Sequence, residues 1–212
     1  METNRVTLLT LFLALIAIAI SELCLQMLAD RFALPLIPAV GACRVIEISM
    51  MTGVVLARKE RLESIGLALD KIMHGFKNGL IWSGVFGGAA ALGFALLLLC
   101  KQNPISFIHA KVPHEHVAAA LFFIVAGFIG PVAEEMLFRG FLYRFLRQWG
   151  VFAALAGSTF FFALAHVSNS DIPFIQIAGG IVFGLAQEKT NNLITPITIH
   201  ALGNLAIFSL ST

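Results

Sequence analysis

An all-α, polytopic bundle of about seven membrane helices around a polar intramembrane cavity is the fold this sequence predicts. Three observations carry that expectation. Apolar residues make up 58% of the 212-residue chain and charged residues only 12%, with a mean hydropathy of +0.90, far from an ordinary soluble domain. The apolar residues fall into runs approaching the roughly 20 residues that one helical crossing needs. Those runs are uniformly apolar rather than alternating, and a spanning segment must satisfy its backbone internally, so helices are expected rather than barrel strands.

The runs, in order, are 6–27, 34–56, 80–100, 117–148, 151–166, 174–187 and 193–210. The first follows Arg5 and has no clear small-residue cleavage site before Asp30-Arg31, so it reads as a retained helix. Placing the amino terminus in the cytoplasm puts the Lys and Arg residues on that side, apart from Arg31, Lys101, Lys111 and the intramembrane Arg44. Between the second and third runs, Arg58 to Lys77 combines a dense basic set with Leu62, Ile65, Leu69, Ile72 or Met73, and Phe76 at helical spacing. That pattern predicts an amphipathic interfacial helix at about 57–79. The polar connection 101–116 contains Pro104 and Pro113 and is expected to be broken. Trp149-Gly150 separates the fourth and fifth runs and predicts a tight helical hairpin. No long linker, repeat or low-complexity tract interrupts the chain. Residues 1–116 supply membrane helices and the interfacial segment, and 117–212 the functional core, in one integrated domain.

Ionisable groups at membrane depth are costly, so those that occur there point to function. Glu134, Glu135 and Arg139 stand in the fourth run, His166 at the end of the fifth, and His200 with Asn204 in the last. Glu134 lies about fifteen residues before the hairpin turn and His166 about sixteen after it, which sets them at one height across the two helices. His200 is expected at comparable depth, with Asn204 one turn on and on the same face. Adjacent helical positions point about 100° apart, so the two glutamates are expected to have different duties. Glu135 pairs naturally with Arg139 at i, i+4. Glu134 is then free to act as a general base, with His166 to share or relay the proton, while His200 and Asn204 donate to an oxyanion. Those roles describe water attacking a peptide bond.

Other polar residues read more plainly. Arg44 and Glu47 are i, i+3 neighbours expected to pair, and Glu22 has no evident partner. Cys24, Cys43 and Cys100 lack metal-ligand spacing and are expected to pack as free thiols. His109, His114 and His116 read as a solvated loop. Gly87, Gly88, Gly93, Gly179, Gly180 and Gly184 are expected to permit close helix packing.

Three patterns stand in a fixed order: EExxxRG at Glu134 to Gly140, FxxxH at Phe162 to His166, and HxxxN at His200 to Asn204. They resemble the three signature motifs of the CAAX protease and bacteriocin-processing family, also called the Abi family. The resemblance covers about 117–210 and implies a glutamic-type intramembrane endopeptidase related to the type II CAAX prenyl proteases. It implies that Glu134 activates water with help from His166, and that His200 and Asn204 form the oxyanion hole. No cofactor is required on this reading. The expected partners are the lipid bilayer and a membrane-embedded or lipid-anchored peptide or protein substrate, with no nucleic acid. The expected location is the plasma (inner) membrane of a prokaryote.

Three alternatives stay open on the sequence alone. Glu134, His166 and His200 supply a carboxylate and two imidazoles, a ligand set for hydrolytic zinc, although there is no HExxH pair and Asn204 is a poor zinc ligand. Buried Glu and His residues also suit a proton pathway in a transporter, though neither inverted repeats nor matched broken helices are evident. An immunity or scaffold protein could bind a partner in the same cavity without cutting it.

Overall fold

The computed structural model describes residues 6–107, 110–167 and 173–211. Seven long helical segments account for the seven apolar runs among the described residues. α1, Leu8–Phe32, starts where the Thr7 hydroxyl accepts the Thr10 N–H at 3.2 Å, and stops at Ala33 in the left-handed region. Pro35 then caps α2, Leu36–Ala57, which packs back on α1 as an antiparallel hairpin. α3 is Ile72–Leu99. α4, His116–Trp149, runs as one interrupted rod to Gly150, whose φ of 106° suits a residue without a side chain and turns the chain into α5, Val151–Leu164. α6, Phe174–Thr190, ends on left-handed Asn191, and α7, Ile194–Ser209, completes the bundle.

Four helices, α1 to α4, are long and apolar enough to cross a membrane. The other three are shorter: the 14 residues of α5 rise about 21 Å, less than a hydrocarbon core of about 30 Å. Large apolar side chains cover the outside of α1 and α3, as lipid-facing surfaces require, and the chain is an integral membrane protein.

The expected amphipathic helix at 57–79 does not form. Residues Leu62–Ile65 and Leu69–Lys71 make two short tight turns, and Lys77 already belongs to α3. Gly66 adopts a φ of 84° and ends the first turn, while its carbonyl accepts the Leu193 N–H at 2.9 Å. Arg144 adds 3.3 Å bonds to the carbonyls of Glu63 and Ser64. The backbone is thus tied to the bundle, and Ser64 and Ile65 are buried.

The first half of α4 shows how one proline shapes a helix. Pro131 has no N–H to donate and crowds the preceding turn. The chain widens over Val125–Ile129, and the Gly130 N–H reaches back to the Val125 carbonyl, five residues away. The Ala126 carbonyl is left without either intrahelical donor, because Gly130 has gone to Val125 and Pro131 has none to give. A second widened stretch, Met136–Tyr143, is buried on nearly all sides and passes through the middle of the bundle.

Glycine usage divides in two. A side chain at Gly79 would meet Thr198, one at Gly75 Asn192, one at Gly180 Thr159 and one at Gly184 Leu155, so these positions permit close helix approach. Gly179 would meet the ring of Phe183 in its own helix. Gly87, Gly88 and Gly93, by contrast, have nothing within 4 Å; α3 turns that face outward, and the expected packing role is corrected for them. The start of α7 is fixed to α3 by Thr195 Oγ1 donating to the Gly75 carbonyl at 3.2 Å and Asn192 Nδ2 to that of Lys71 at 2.9 Å.

Candidate active site

Glu134, Glu135 and Arg139 sit on α4, His166 in the turn just after α5, and His200 and Asn204 on α7. The hairpin at Gly150 brings the first and second groups to one level, as the residue count predicts. Glu134 Oε2 lies 3.5 Å from His166 Nε2 and 3.9 Å from His200 Nε2, and has no hydrogen-bond partner despite being sealed from solvent.

Both histidines are oriented from behind. His166 Nδ1 donates to the Phe162 carbonyl at 2.8 Å, one turn back in α5. His200 Nδ1 donates to Glu135 Oε1 at 2.7 Å. Each ring therefore presents Nε2 to Glu134. His200 also stacks on Phe183, with centroids 4.8 Å apart at 19°, and meets the edge of Phe162. Phe162 lies against the His166 ring as well, at 4.6 Å.

Glu135 does more than the expected ion pair. The Oε1 atom that accepts from His200 also accepts from Arg139 at 2.9 Å, and both acid and arginine are fully buried. The Arg139 guanidinium donates to the Gly180 carbonyl at 3.2 Å and lies 4.5 Å and 5.1 Å from the ring centres of Phe162 and Phe183. A charge in this setting needs such partners, and the geometry supplies them. The sequence offered the i, i+4 pair but no sign that His200, 65 residues on, shares its acceptor.

Asn204 Nδ2 donates at 2.9 Å to the Ala126 carbonyl, the group that Pro131 leaves unpaired in α4. One amide hydrogen is thereby committed to holding the side chain. All four predicted residues line a single cavity of about 360 Å³, with Arg44, Phe86, Phe162, Gln176 and Phe183 among the other walls. The lining draws on every helix from α2 to α7. None of Arg58, Arg144, Arg147 and Lys189 is among the lining residues.

The N-terminal helices also contribute. Glu22, unpartnered in the sequence reading, binds Arg44 at 2.8 Å, while Glu47 binds the same arginine at 2.5 Å. Cys43 is buried beside them with its Sγ 3.9 Å from Glu47 Oε1, and Cys24, Cys43 and Cys100 are all free. Among the described residues, the group whose ligating atoms lie within 4.8 Å of one another is Glu22, Cys43 and Glu47, and Arg44 already pairs with both of its carboxylates. Glu134, His166 and His200 are not gathered that closely: the two imidazoles flank the carboxylate. Of the three loop histidines, His114 and His116 are exposed, and His109 lies outside the described residues.

Residues 116–206 match the family described as type II CAAX prenyl endopeptidase Rce1-like. That segment, less than half of the chain, is similar to the CAAX protease family. The match contains all three motifs and each of the residues placed around Glu134. The membrane-embedded CAAX protease MroQ of Staphylococcus aureus (strain USA300) is 34% identical over 149 residues, covering 57% of each chain. The chain matches little more than half the length of that curated relative. No solved structure matches it.

Proposed function

We propose that this chain belongs to the CAAX protease family and is an intramembrane endopeptidase of the bacterial plasma membrane, cutting a membrane-embedded or lipid-anchored peptide with water activated by Glu134. The observation that carries the reading is the buried, unbonded Glu134 Oε2 between two imidazole Nε2 atoms at 3.5 and 3.9 Å. The rest of the Glu134 side chain is 26% exposed and lines the cavity that both rings also line, where a small polar molecule has room. A water there loses a proton to Glu134 as its oxygen attacks the scissile carbonyl carbon. Negative charge gathers on the carbonyl oxygen, where His200, protonated on both nitrogens, donates from Nε2 and Asn204 from its remaining amide hydrogen. Glu135 holds the ring's angle through its bond to Nδ1. The proton taken by Glu134 passes through His166 Nε2 to the leaving nitrogen, the C–N bond breaks, and the carboxylate is restored.

The test is cleavage of a candidate membrane substrate by Glu134→Gln, His166→Ala and His200→Ala variants whose expression and helix content match the parent. Each should lose activity by at least about two orders of magnitude. Wild-type cutting by all three would overturn the proposal.

One observation favours a second reading. With both Nδ1 atoms committed as donors, the neutral imidazoles offer Nε2 lone pairs on either side of the Glu134 carboxylate, a donor set suited to zinc. Glu134, His166 and His200 would hold the ion. Metal analysis of the purified protein, with cleavage measured before and after chelation and on return of zinc, decides between them. Activity that survives chelation of a metal-free preparation supports the glutamate reading, and stoichiometric zinc required for cleavage replaces it.

A further inference from the structure

We propose that Arg44 is a substrate-binding residue of the catalytic cavity, donating to peptide carbonyl oxygens of the segment to be cut; this rests on the endopeptidase reading. An arginine inside a membrane helix is costly, and two acids hold this one in place. Both ion pairs use the same nitrogen: Nη1 lies 2.5 Å from Glu47 and 2.8 Å from Glu22. Among the described residues nothing bonds Nε or Nη2, the two donors that form the side-on fork of a guanidinium. The side chain is 27% exposed, and Arg44 lines the cavity with Val40, one turn earlier on α2, in the enclosure that holds Glu134.

The anchorage is built to fix the arginine's position. Glu47 is almost fully buried and also accepts from the Ser21 hydroxyl at 3.2 Å, which ties the cluster to α1. Arg44 is thus held from the α1–α2 side while its fork remains available on the other.

Charge selects the ligand. Two carboxylates already face one guanidinium, and Glu134 adds a third acid to the same enclosure. A further carboxylate would meet an excess of like charge. Neutral carbonyl oxygens would not. A peptide unwound for cleavage inside a bilayer has backbone carbonyls without partners, and a fixed fork of N–H donors satisfies two of them. The substrate class this describes is an extended apolar peptide bound through its main chain.

The experiment uses the full chain in phosphatidylglycerol/phosphatidylcholine nanodiscs, carrying Glu134→Gln to stop turnover. The probe is a dansyl-labelled Leu/Ala peptide with either a free C-terminal carboxylate or an amide. Arg44→Lys keeps a charge for Glu22 and Glu47 but lacks the fork. A second variant, Arg44→Gln with Glu22→Gln and Glu47→Gln, keeps the cluster uncharged. Both variants should weaken binding of both peptides about tenfold, with helix content and Tm near the parent's. Binding within twofold of the parent in the Lys variant overturns the proposal. So does an acid peptide that binds at least tenfold tighter than its amide and loses that preference in the Lys variant, which would make a carboxylate the ligand. Arg44-dependent binding by a chain that, with Glu134 intact, cuts no membrane peptide would retain this site and reject the endopeptidase reading.

Discussion

His200 and Arg139 share one acceptor: Glu135 Oε1 takes a proton donor from each, at 2.7 and 2.9 Å, deep in the bundle. The acid therefore couples the histidine's orientation to the arginine's charge.

Replacing Glu135 separates those two duties. Glu135→Gln keeps an acceptor oxygen but removes the carboxylate charge that His200 and Arg139 share, so kcat should fall by about a hundredfold with KM little changed. Glu135→Ala leaves Arg139 buried and unpaired, costing about 3–5 kcal/mol of stability. Steady-state kinetics and thermal unfolding in the same detergent distinguish the two outcomes.

Pro131 should matter to Asn204 without touching it. In Pro131→Ala the regained N–H allows the widened turn to close and the Ala126 carbonyl to find a helical donor. Asn204 then loses its anchor. Activity should drop about tenfold or more while Tm stays level or rises; a variant with unchanged kcat would show that the anchorage is dispensable.

Gly79 and Gly87 make a matched pair on α3. Gly79→Leu forces a side chain into Thr198 and should destabilise the bundle by about 1–3 kcal/mol. Gly87→Leu enters open space and should leave the unfolding midpoint within error or raise it slightly. Equal effects at the two sites would contradict the packing described for α3.

Glu115 lies just outside the membrane helices and supplies a pH test. Its carboxylate accepts the N–H groups of Val117 and Ala118 at 2.9 and 2.7 Å, and these bonds hold its pKa below the ordinary glutamate range. A depressed folded-state pKa means the cap contributes fully above the unfolded pKa, about 4.3. The contribution is lost as pH falls through the lower folded value. Amide-exchange protection of Val117 and Ala118 should decline across that acid window in the parent and be weaker and flat with pH in Glu115→Gln.

Much of this was legible in the chain because helix geometry is a counting rule. The distances of Glu134 and His166 from Gly150 placed them at one height, and i, i+4 spacing gave the Glu135–Arg139 pair. Contacts that depend on rotation about distant helix axes left no such trace. Glu22 and Arg44 are 22 residues apart on separate helices, and Glu135 and His200 are 65 apart. Phe183 carried no polar mark, yet it stacks on His200. The segment 57–79 misled for the opposite reason: its apolar spacing is helical, but Gly66 and the tertiary bonds to Leu193 and Arg144 bind the backbone elsewhere.

The widened turn at Val125–Ile129 gives α4 an angular phase as well as a path. A wide turn takes in one residue more than an ordinary one, so everything before it is rotated by about 100° relative to everything after it. Glu134 and Arg139 lie after the turn and are locked by the core. Ala126, and the wall it shares with Asn204, lie within it. Removing a single residue there would keep every functional side chain in the chain yet turn the first third of the helix to a different azimuth. Substitution scanning would pass over this property; one-residue deletions and insertions would reveal it.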